Sequence, residues 1–464
     1  MSPTRVPIAP LGSIQKGNNA MGPLAGDKWE PTPRMSKSKK ERSIQAPKGM
    51  QDILPEDQKY WRYIFKKAEN LLEFYGFERI ETPVLESTDL FLRAVGESTD
   101  IVQKEMYTLR TKGGDSLTLR PEGTAPIVRA YLENGMNVKP HPVKLYYLSS
   151  FFRHDQPQKG RYRQFHQLGV ETIGDSSEAV DAELIFLAYK FIDSLGLKGY
   201  NVHINSIGDQ SCRPAYLKAL KDYYKNRLKK TCFNCKVRLK ENILRLLDCK
   251  EEACKELAKE APQFVDFLDE ECHAHFKHVL EFLDEAKVPY ILNPHLVRGL
   301  DYYTRTVFEI MPEENIGAQS TLSAGGRYDK LVELLGGSKT PAAGWALGIE
   351  RIILELKEKN VSVPEIKPKP KVFLVQLGEA AKRKSILLFE SFRKAGVDTK
   401  SSLGRDSIKS QLRIANRLGV KFALIFGQKE ALDDTIILRE MDTGIQETIP
   451  LEKIVDEVKK RLKA

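Results

Sequence analysis

Residues 152 to 167 read F-R-H-D-Q-P-Q-K-G-R-Y-R-Q-F-H-Q, a basic stretch in which Arg153 closes one β-like run and a second run begins beyond a polar loop. On that second run Gln167, Gly169 and Glu171 lie two apart, so an amide and a carboxylate point together from one face of a strand toward the site that Arg153 borders. A solvated basic hairpin would carry the same residue types. Upstream, L-T-L-R-P-E-G-T at 117 to 124 ends an apolar run abruptly and presents Glu122 and Thr124 beside Gly123. A carboxylate and a hydroxyl at a strand end suit capture of an ammonium group; an ordinary turn with Thr124 as helix N-cap reads equally well. Downstream, L-V-R-G-L-D-Y-Y-T-R-T-V-F-E at 296 to 309 sets Arg298, Tyr302 and Tyr303 ahead of another β run. In a generic loop these would be a surface charge and two packing rings. Finally, S-A-G-G-R-Y-D at 323 to 329 and G-W-A-L-G-I-E-R at 344 to 351 offer glycines that let the backbone approach a ligand, and Arg351 near a helix start, where a terminal phosphate can be met.

Two patterns lie outside these strings. Cys232-x2-Cys235 and Cys249-x4-Cys254, separated by 13 residues, are close to the ligand spacing of a structural zinc site, but thiols on helical faces also serve as core, and the sequence commits to no metal there. Arg405, Lys409, Arg413 and Arg417 recur every four residues opposite Ile408, Leu412 and Ala415, which makes one basic stripe on one helix, either a solvated face or a phosphate-binding one.

The elements that must position these residues follow from periodicity. With 464 residues the chain exceeds one ordinary core, so two or three folded units are expected. A 41% hydrophobic, 29% charged composition reads as soluble and globular, and no apolar run approaches the roughly 20 residues of a membrane span. Residues 1 to 42 carry a net +5 and residues 371 to 464 a net +6, out of a total of +10, which leaves the middle at about −1. Such ends favour a polyanionic partner. The first 42 residues are rich in Pro, Gly, Ser, Asn and Lys without an apolar period and read as a disordered basic tail, in which Met35 is a second candidate start. They lack a secretory or transit pattern, so the cytoplasm is expected, and six cysteines in so long a chain point to free thiols rather than a disulfide framework. A helix is expected over Tyr60 to Phe74, then strands at Ile80 to Leu85, Ser116 to Leu119, Val143 to Phe152, Phe165 to Ile173 and Tyr200 to Asn205, with a helix from Glu178 to Leu195. The pairing of 143 to 152 with 165 to 173 predicts an antiparallel hairpin. Residues 209 to 290 read as a helical insertion carrying all six cysteines; strands resume at Thr306 to Ile310 and Ser320 to Ala324, and Gly344 to Leu356 runs into a helix. Residues 357 to 370 read as a linker. Beyond it, β runs at 372 to 377, 421 to 426 and 435 to 439 alternate with helices at 379 to 395 and 405 to 418, a small α/β domain.

Taken in order, the five strings resemble the motifs of class II aminoacyl-tRNA synthetases in their histidine-specific form, and the resemblance spans about residues 43 to 464. It implies an α+β catalytic core over 43 to 356, built on an antiparallel sheet flanked by helices and interrupted by the 209 to 290 insertion, followed by a C-terminal α/β anticodon-binding domain. It implies ATP-dependent activation of L-histidine and transfer to tRNA(His), with Mg2+ accompanying ATP and a homodimer formed through the helix-strand-Pro83 unit. By the same resemblance Arg153 and Arg298 are catalytic; Glu122, Gly123, Thr124, Arg153, Gln167, Glu171, Arg298, Tyr302 and Tyr303 bind histidine; Arg153, Asp155, Arg298 and Arg351 bind ATP; and Gln158, Lys159, Arg405, Lys409, Arg413 and Arg417 meet tRNA. Imidazole offers one donor and one acceptor, which a carboxylate and a phenol, Glu171 and Tyr303, can satisfy. Asp155 and Gln156 stand where the family commonly has Glu and Arg, and Trp345 where it has Phe, departures that bear on the adenine contacts. The competing reading is a non-catalytic regulatory paralogue of histidine biosynthesis; retention of Arg153, Arg298, Arg351 and a folded C-terminal domain argues against it. A synthetase for proline, threonine or glycine fails on the two histidine-specific strings.

Overall fold

The computed structural model describes residues 44 to 97, 99 to 249, 251 to 313, 321 to 364, 369 to 404 and 407 to 463. The basic tail and Arg405 lie outside the described residues.

Up to residue 364 the chain forms eleven strands among the described residues: β1 (Glu78–Arg79), β2 (Leu85–Ser87), β3 (Tyr107–Arg110), β4 (Ser116–Leu119), β5 (Val143–Phe152), β6 (Gln164–Ile173), β7 (Tyr200–Ser206), β8 (Tyr290–Leu292), β9 (Thr304–Pro312), β10 (Ser323–Arg327) and β11 (Ala342–Gly348). Eight of them make one sheet in the order β1-β5-β6-β11-β10-β9-β7-β8, antiparallel throughout except for the two edge pairs. The helices are α1 (Gln58–Phe74), α2 (Thr88–Val95), α3 (Thr124–Glu133), α4 (Glu178–Ser194), α5 (Arg213–Lys225), α6 (Phe233–Glu241), α7 (Glu252–Lys259), α8 (Glu270–Glu285), α9 (Leu331–Leu334) and α10 (Ile349–Glu358).

Period-two alternation gives the sheet two different faces. Leu168 and Val170 of β6 and Tyr146 of β5 join Trp61, Ile64 and Leu72 of α1, Leu187 and Phe191 of α4 and Ile352 of α10 in one core. Their neighbours Gln167, Gly169 and Glu171 turn to the opposite face, where Leu145, Tyr147 and Phe151 of β5 meet α3 and the helical insertion. The antiparallel β5-β6 hairpin expected from sequence is present over ten residue pairs.

Of the expected strand Ile80 to Leu85 only Leu85 lies in a strand: β1 ends at Arg79 and β2 begins at Leu85. Pro83 lacks the N–H a ladder needs, and the buried Arg120 guanidinium takes the carbonyl oxygens of Thr82 (2.5 Å) and Ser150 (2.9 Å) instead. β1 therefore stays with the large sheet, while β2 joins a three-stranded sheet, β2-β4-β3. Another charged cluster ties the insertion to the core: Asp181 of α4 accepts from Arg327 (2.6 Å) and pairs with His275 of α8 (2.9 Å), all three buried. An ionic group inside a core persists only when fully partnered.

After residue 369 the strands β12 (Val372–Gln376), β13 (Thr399–Ser401), β14 (Phe422–Phe426), β15 (Thr435–Glu440) and β16 (Gln446–Pro450) form a second sheet, ordered β13-β12-β14-β15-β16, with helices α11 (Glu379–Lys394), α12 (Ile408–Leu418), α13 (Gln428–Leu432) and α14 (Ile454–Lys463). α11, α13 and α14 pack on one face of this sheet and α12 on the other. α12 begins at Ile408 rather than 405, because the Ser407 hydroxyl caps it, accepting from the Ser410 N–H at 3.4 Å. α10 runs on to Glu358, two residues into the expected linker. No described helix is long and apolar enough to cross a membrane.

Candidate active site

The polar face of the large sheet opens into a cleft of about 1120 Å³. Glu122, Gly123, Thr124, Arg153, Asp155, Gln167, Arg298, Tyr302, Tyr303 and Arg351, drawn from segments more than 200 residues apart in sequence, all line it.

At one end, β4 stops at Leu119 and the chain turns into α3. The Glu122 side chain, not Thr124, caps this helix: its two oxygens accept from the backbone N–H groups of Thr124 (2.8 Å) and Ala125 (2.9 Å). Thr124 is the first helical residue and its hydroxyl donates to Glu171 Oε1 at 2.9 Å. Burial pushes the Glu122 carboxyl above its ordinary value, against the two backbone donors that pull it down. Tyr302 Oη donates to Glu122 Oε2 at 3.4 Å.

Glu171 is more deeply enclosed. Tyr328 donates to its Oε2 and Thr124 to its Oε1, and it sits behind these two side chains rather than on the open wall of the cleft. Burial raises its carboxyl to about 8, with the Glu122 charge adding and the Tyr328 and Thr124 hydrogen bonds opposing. Tyr303 lies under Arg298, whose guanidinium is 5.5 Å from the ring centroid. Close packing here depends on glycine: a Cβ on Gly123 would come within 2.7 Å of the Tyr147 ring, one on Gly169 within 2.6 Å of its other edge, and one on Gly344 within 2.9 Å of Glu171 Cδ.

The cationic end holds three arginines. Arg153 donates through Nε to the Pro121 carbonyl (2.8 Å) and stacks on Phe165. Arg298 pairs with Glu309, whose other oxygen accepts from Thr321 (2.8 Å), and its buried Nε has no hydrogen-bond partner among the described residues. Arg351, in the first turn of α10, donates to the carbonyls of Gly160 (3.0 Å) and Thr321 (2.8 Å). Burial lowers the guanidinium pKa of Arg153 and Arg351, as expected for cations drawn out of water with only partial compensation. Asp155 is engaged by the Gln156 N–H (2.6 Å) and Arg161 (2.9 Å). Gln158 and Lys159 sit exposed at the hairpin tip, where Lys159 pairs with Glu358.

In the C-terminal domain Lys409, Arg413 and Arg417 are exposed along α12. The packing side of that helix is Gln411 and Ala415 more than Ile408, which is 37% exposed; the Gln411 amide is buried on the Gln376 backbone. Tyr147, Tyr328, Glu309 and Thr321 were missed from sequence. Tyr328 lies inside the quoted S-A-G-G-R-Y-D string and Glu309 ends the 296 to 309 string, so two of the four were in view without a role; Tyr147 and Thr321 carry no local signal.

A family model described as histidyl-tRNA synthetase matches residues 49–352, and one described as an anticodon binding domain matches residues 371–461. A histidine-tRNA ligase from Dehalococcoides mccartyi (strain 195) is 52% identical over 418 residues, covering 90% of this chain and all of that protein, and one from Pelotomaculum thermopropionicum is 45% identical over 416 residues, covering 90% and 97%. The crystal structure of apo histidyl-tRNA synthetase from S. aureus matches with a TM-score of 0.73 and 39% identity over 90% of this chain and all of that one. A catalytic sheet with this cleft, followed by an anticodon-binding domain, makes the protein an aminoacyl-tRNA synthetase. The chain belongs to the histidyl-tRNA synthetase family and joins histidine to tRNA at the expense of ATP. The ligase likeness across both domains sets aside the regulatory-paralogue reading.

Proposed function

We propose that the cleft performs both steps as a class II synthetase, with roles divided as follows. A histidine carboxylate oxygen attacks the α-phosphorus of ATP, the bond to the β-phosphate oxygen breaks, and pyrophosphate leaves; a terminal ribose hydroxyl of tRNA(His) then attacks the histidyl carbonyl and AMP leaves. Arg153 and Arg298 neutralise the charge gathering on the α-phosphate, and Arg351 meets the outer phosphates. Preorganised cations act this way without reorganising during the reaction. The unpartnered Nε of Arg298 supports its share, since a buried donor is left for a ligand to satisfy. Glu122, Gly123, Thr124 and Gln167 form the ammonium end of the histidine pocket, and Glu171, Tyr302 and Tyr303 the imidazole end. Asp155 borders adenine. Mg2+ would supply further phosphate neutralisation when it arrives with ATP; Glu309 is a carboxylate on the cleft wall, and with its oxygens engaged by Arg298 and Thr321 it would reach the ion only by giving up one of them.

Gln158 and Lys159 at the exposed hairpin tip are assigned to the tRNA acceptor end, and Lys409, Arg413 and Arg417 to phosphates nearer the anticodon. The working division is a catalytic domain over 43 to 356, containing the 209 to 290 insertion, a linker over 357 to 370 and an anticodon-binding domain over 371 to 464. A homodimer is supported by the apolar residues Val84, Leu85 and Leu109 left 38 to 43% exposed around the small sheet next to Pro83. A cytoplasmic site of action is supported by six cysteines without a disulfide.

The observation that carries this reading is the convergence of Arg153, Arg298 and Arg351 with Glu122 and Thr124 on one cleft. Pyrophosphate exchange by the purified protein, run with each amino acid, tests it. Exchange with histidine alone, reduced at least about 100-fold in Arg298→Ala as for removal of an oxyanion donor, is expected; a folded variant with full exchange would remove Arg298 from the chemistry.

A further inference from the structure

Four cysteines converge in the inserted module although they come from two separate segments. The Sγ atoms of Cys232, Cys235, Cys249 and Cys254 all lie within 4.8 Å of one another. We propose that these four thiols bind one Zn2+ as a structural tetrathiolate that clamps the insertion against the catalytic cleft.

Sulfur spacing is the first argument. Four ligands at a Zn–S length of about 2.3 Å in a tetrahedron stand roughly 3.8 Å apart, and Cys232 Sγ and Cys249 Sγ are 3.8 Å apart. A disulfide needs about 2.05 Å, so this pair is not one. Backbone geometry is the second. Cys232 sits at the N-cap of α6 and its Sγ accepts from the Cys235 N–H at 3.4 Å, while the Cys232 N–H donates to Cys254 Sγ at 3.3 Å. Amide donors aimed at sulfur stabilise thiolates, the form that binds metal.

Local stability is the third. α6 and α7 have nine and eight residues, too short to persist alone, and Phe233 at the start of α6 is 78% exposed. A metal joining them would supply what the apolar packing does not. The module also holds on to the cleft: Asn242 donates to Asp301 at 2.8 Å, inside the Arg298 to Tyr303 loop, and Arg245 pairs with Asp100 at 2.6 Å. A second cluster, Asp209, Cys212, Asp269 and Cys272, is equally tight but differs in chemistry. Asp269 caps α8 through the Cys272 N–H, and Asp209 accepts from Ser211 and pairs with Arg305, so its carboxylates already have partners and only two thiols remain. On coordination the four thiols release four protons to solvent and no electrons move.

The full chain, purified under reducing conditions with zinc supplied, should carry one zinc per chain by elemental analysis. Replacing zinc by Co2+ should give the intense visible band of a tetrahedral cobalt thiolate. Cys249→Ser with Cys254→Ser should abolish both signals, and Cys272→Ser should leave them. The cobalt spectrum of the wild type needs no variant, so misfolding of the double mutant would not rescue a failed proposal. Zinc at background level, an octahedral cobalt spectrum, or thiol titration of the denatured wild type finding fewer than six thiols would overturn it. Stripping the metal should also open residues 226 to 262 to trypsin; unchanged protection would overturn the clamp.

Discussion

Glu171→Gln isolates the buried carboxyl that is assigned to the imidazole end of the pocket. The variant keeps the size and removes the titration, and it leaves one amide oxygen to accept from Thr124 or Tyr328 where the carboxylate offers two. With its carboxyl pushed up to about 8, Glu171 is mostly protonated at pH 7 in the free enzyme, and a neutral acid cannot accept the imidazole N–H as a carboxylate does. The sign follows: burial raises this acid, so the competent ionised form is depleted below pH 8 and fully present above it. Roughly one molecule in eleven is ionised at pH 7 and about ten in eleven at pH 9, so kcat/KM for histidine should gain about tenfold between them through this group alone. Free histidine also titrates, and the ratio of wild type to Glu171→Gln cancels that contribution. The ratio, measured by pyrophosphate exchange from pH 6 to 9, should rise about tenfold per unit and level off near 8. Tyr328→Phe removes one of the two hydrogen bonds that hold the pKa down and should move the plateau to higher pH. A ratio flat across the range would refute the argument and leave Glu171 as a brace for Thr124 and Tyr328.

Two further outcomes are expected. In Gly344→Ala the new Cβ would fall within 2.9 Å of Glu171 Cδ and onto the Val170 carbonyl of the paired strand, so overpacking should destabilise the fold by about 1 to 3 kcal/mol in a denaturant melt and, by displacing Glu171, lower histidine kcat/KM in pyrophosphate exchange with ATP affinity by calorimetry little changed. Replacing Lys409, Arg413 and Arg417 together by alanine should raise the KM for tRNA and flatten its salt dependence by about 0.7 to 0.9 log units for each phosphate no longer neutralised; an unchanged slope would make the stripe a solvated face.

Much of the protein is determined locally and was legible without coordinates. Strand and helix periods located α1, α4, β5, β6 and β7 to within a residue or two, because each has one face committed to a core and the period alone reports that. The motif strings supplied Arg153, Arg298 and Arg351, since side-chain type and order survive in a sequence. What sequence could not give is which atoms meet across long separations. Whether Glu122 or Thr124 caps α3 turns on side-chain rotamers at one helix start. That Tyr328 reaches Glu171 depends on β6, β11 and β10 lying side by side. The break in strand between Arg79 and Leu85 goes with Arg120, distant in sequence, claiming the Thr82 carbonyl. The cysteine spacing left zinc and packed thiols both open, and the convergence of four sulfurs favours the metal. Periodicity records which face is buried; only the folded chain decides what that face is buried against.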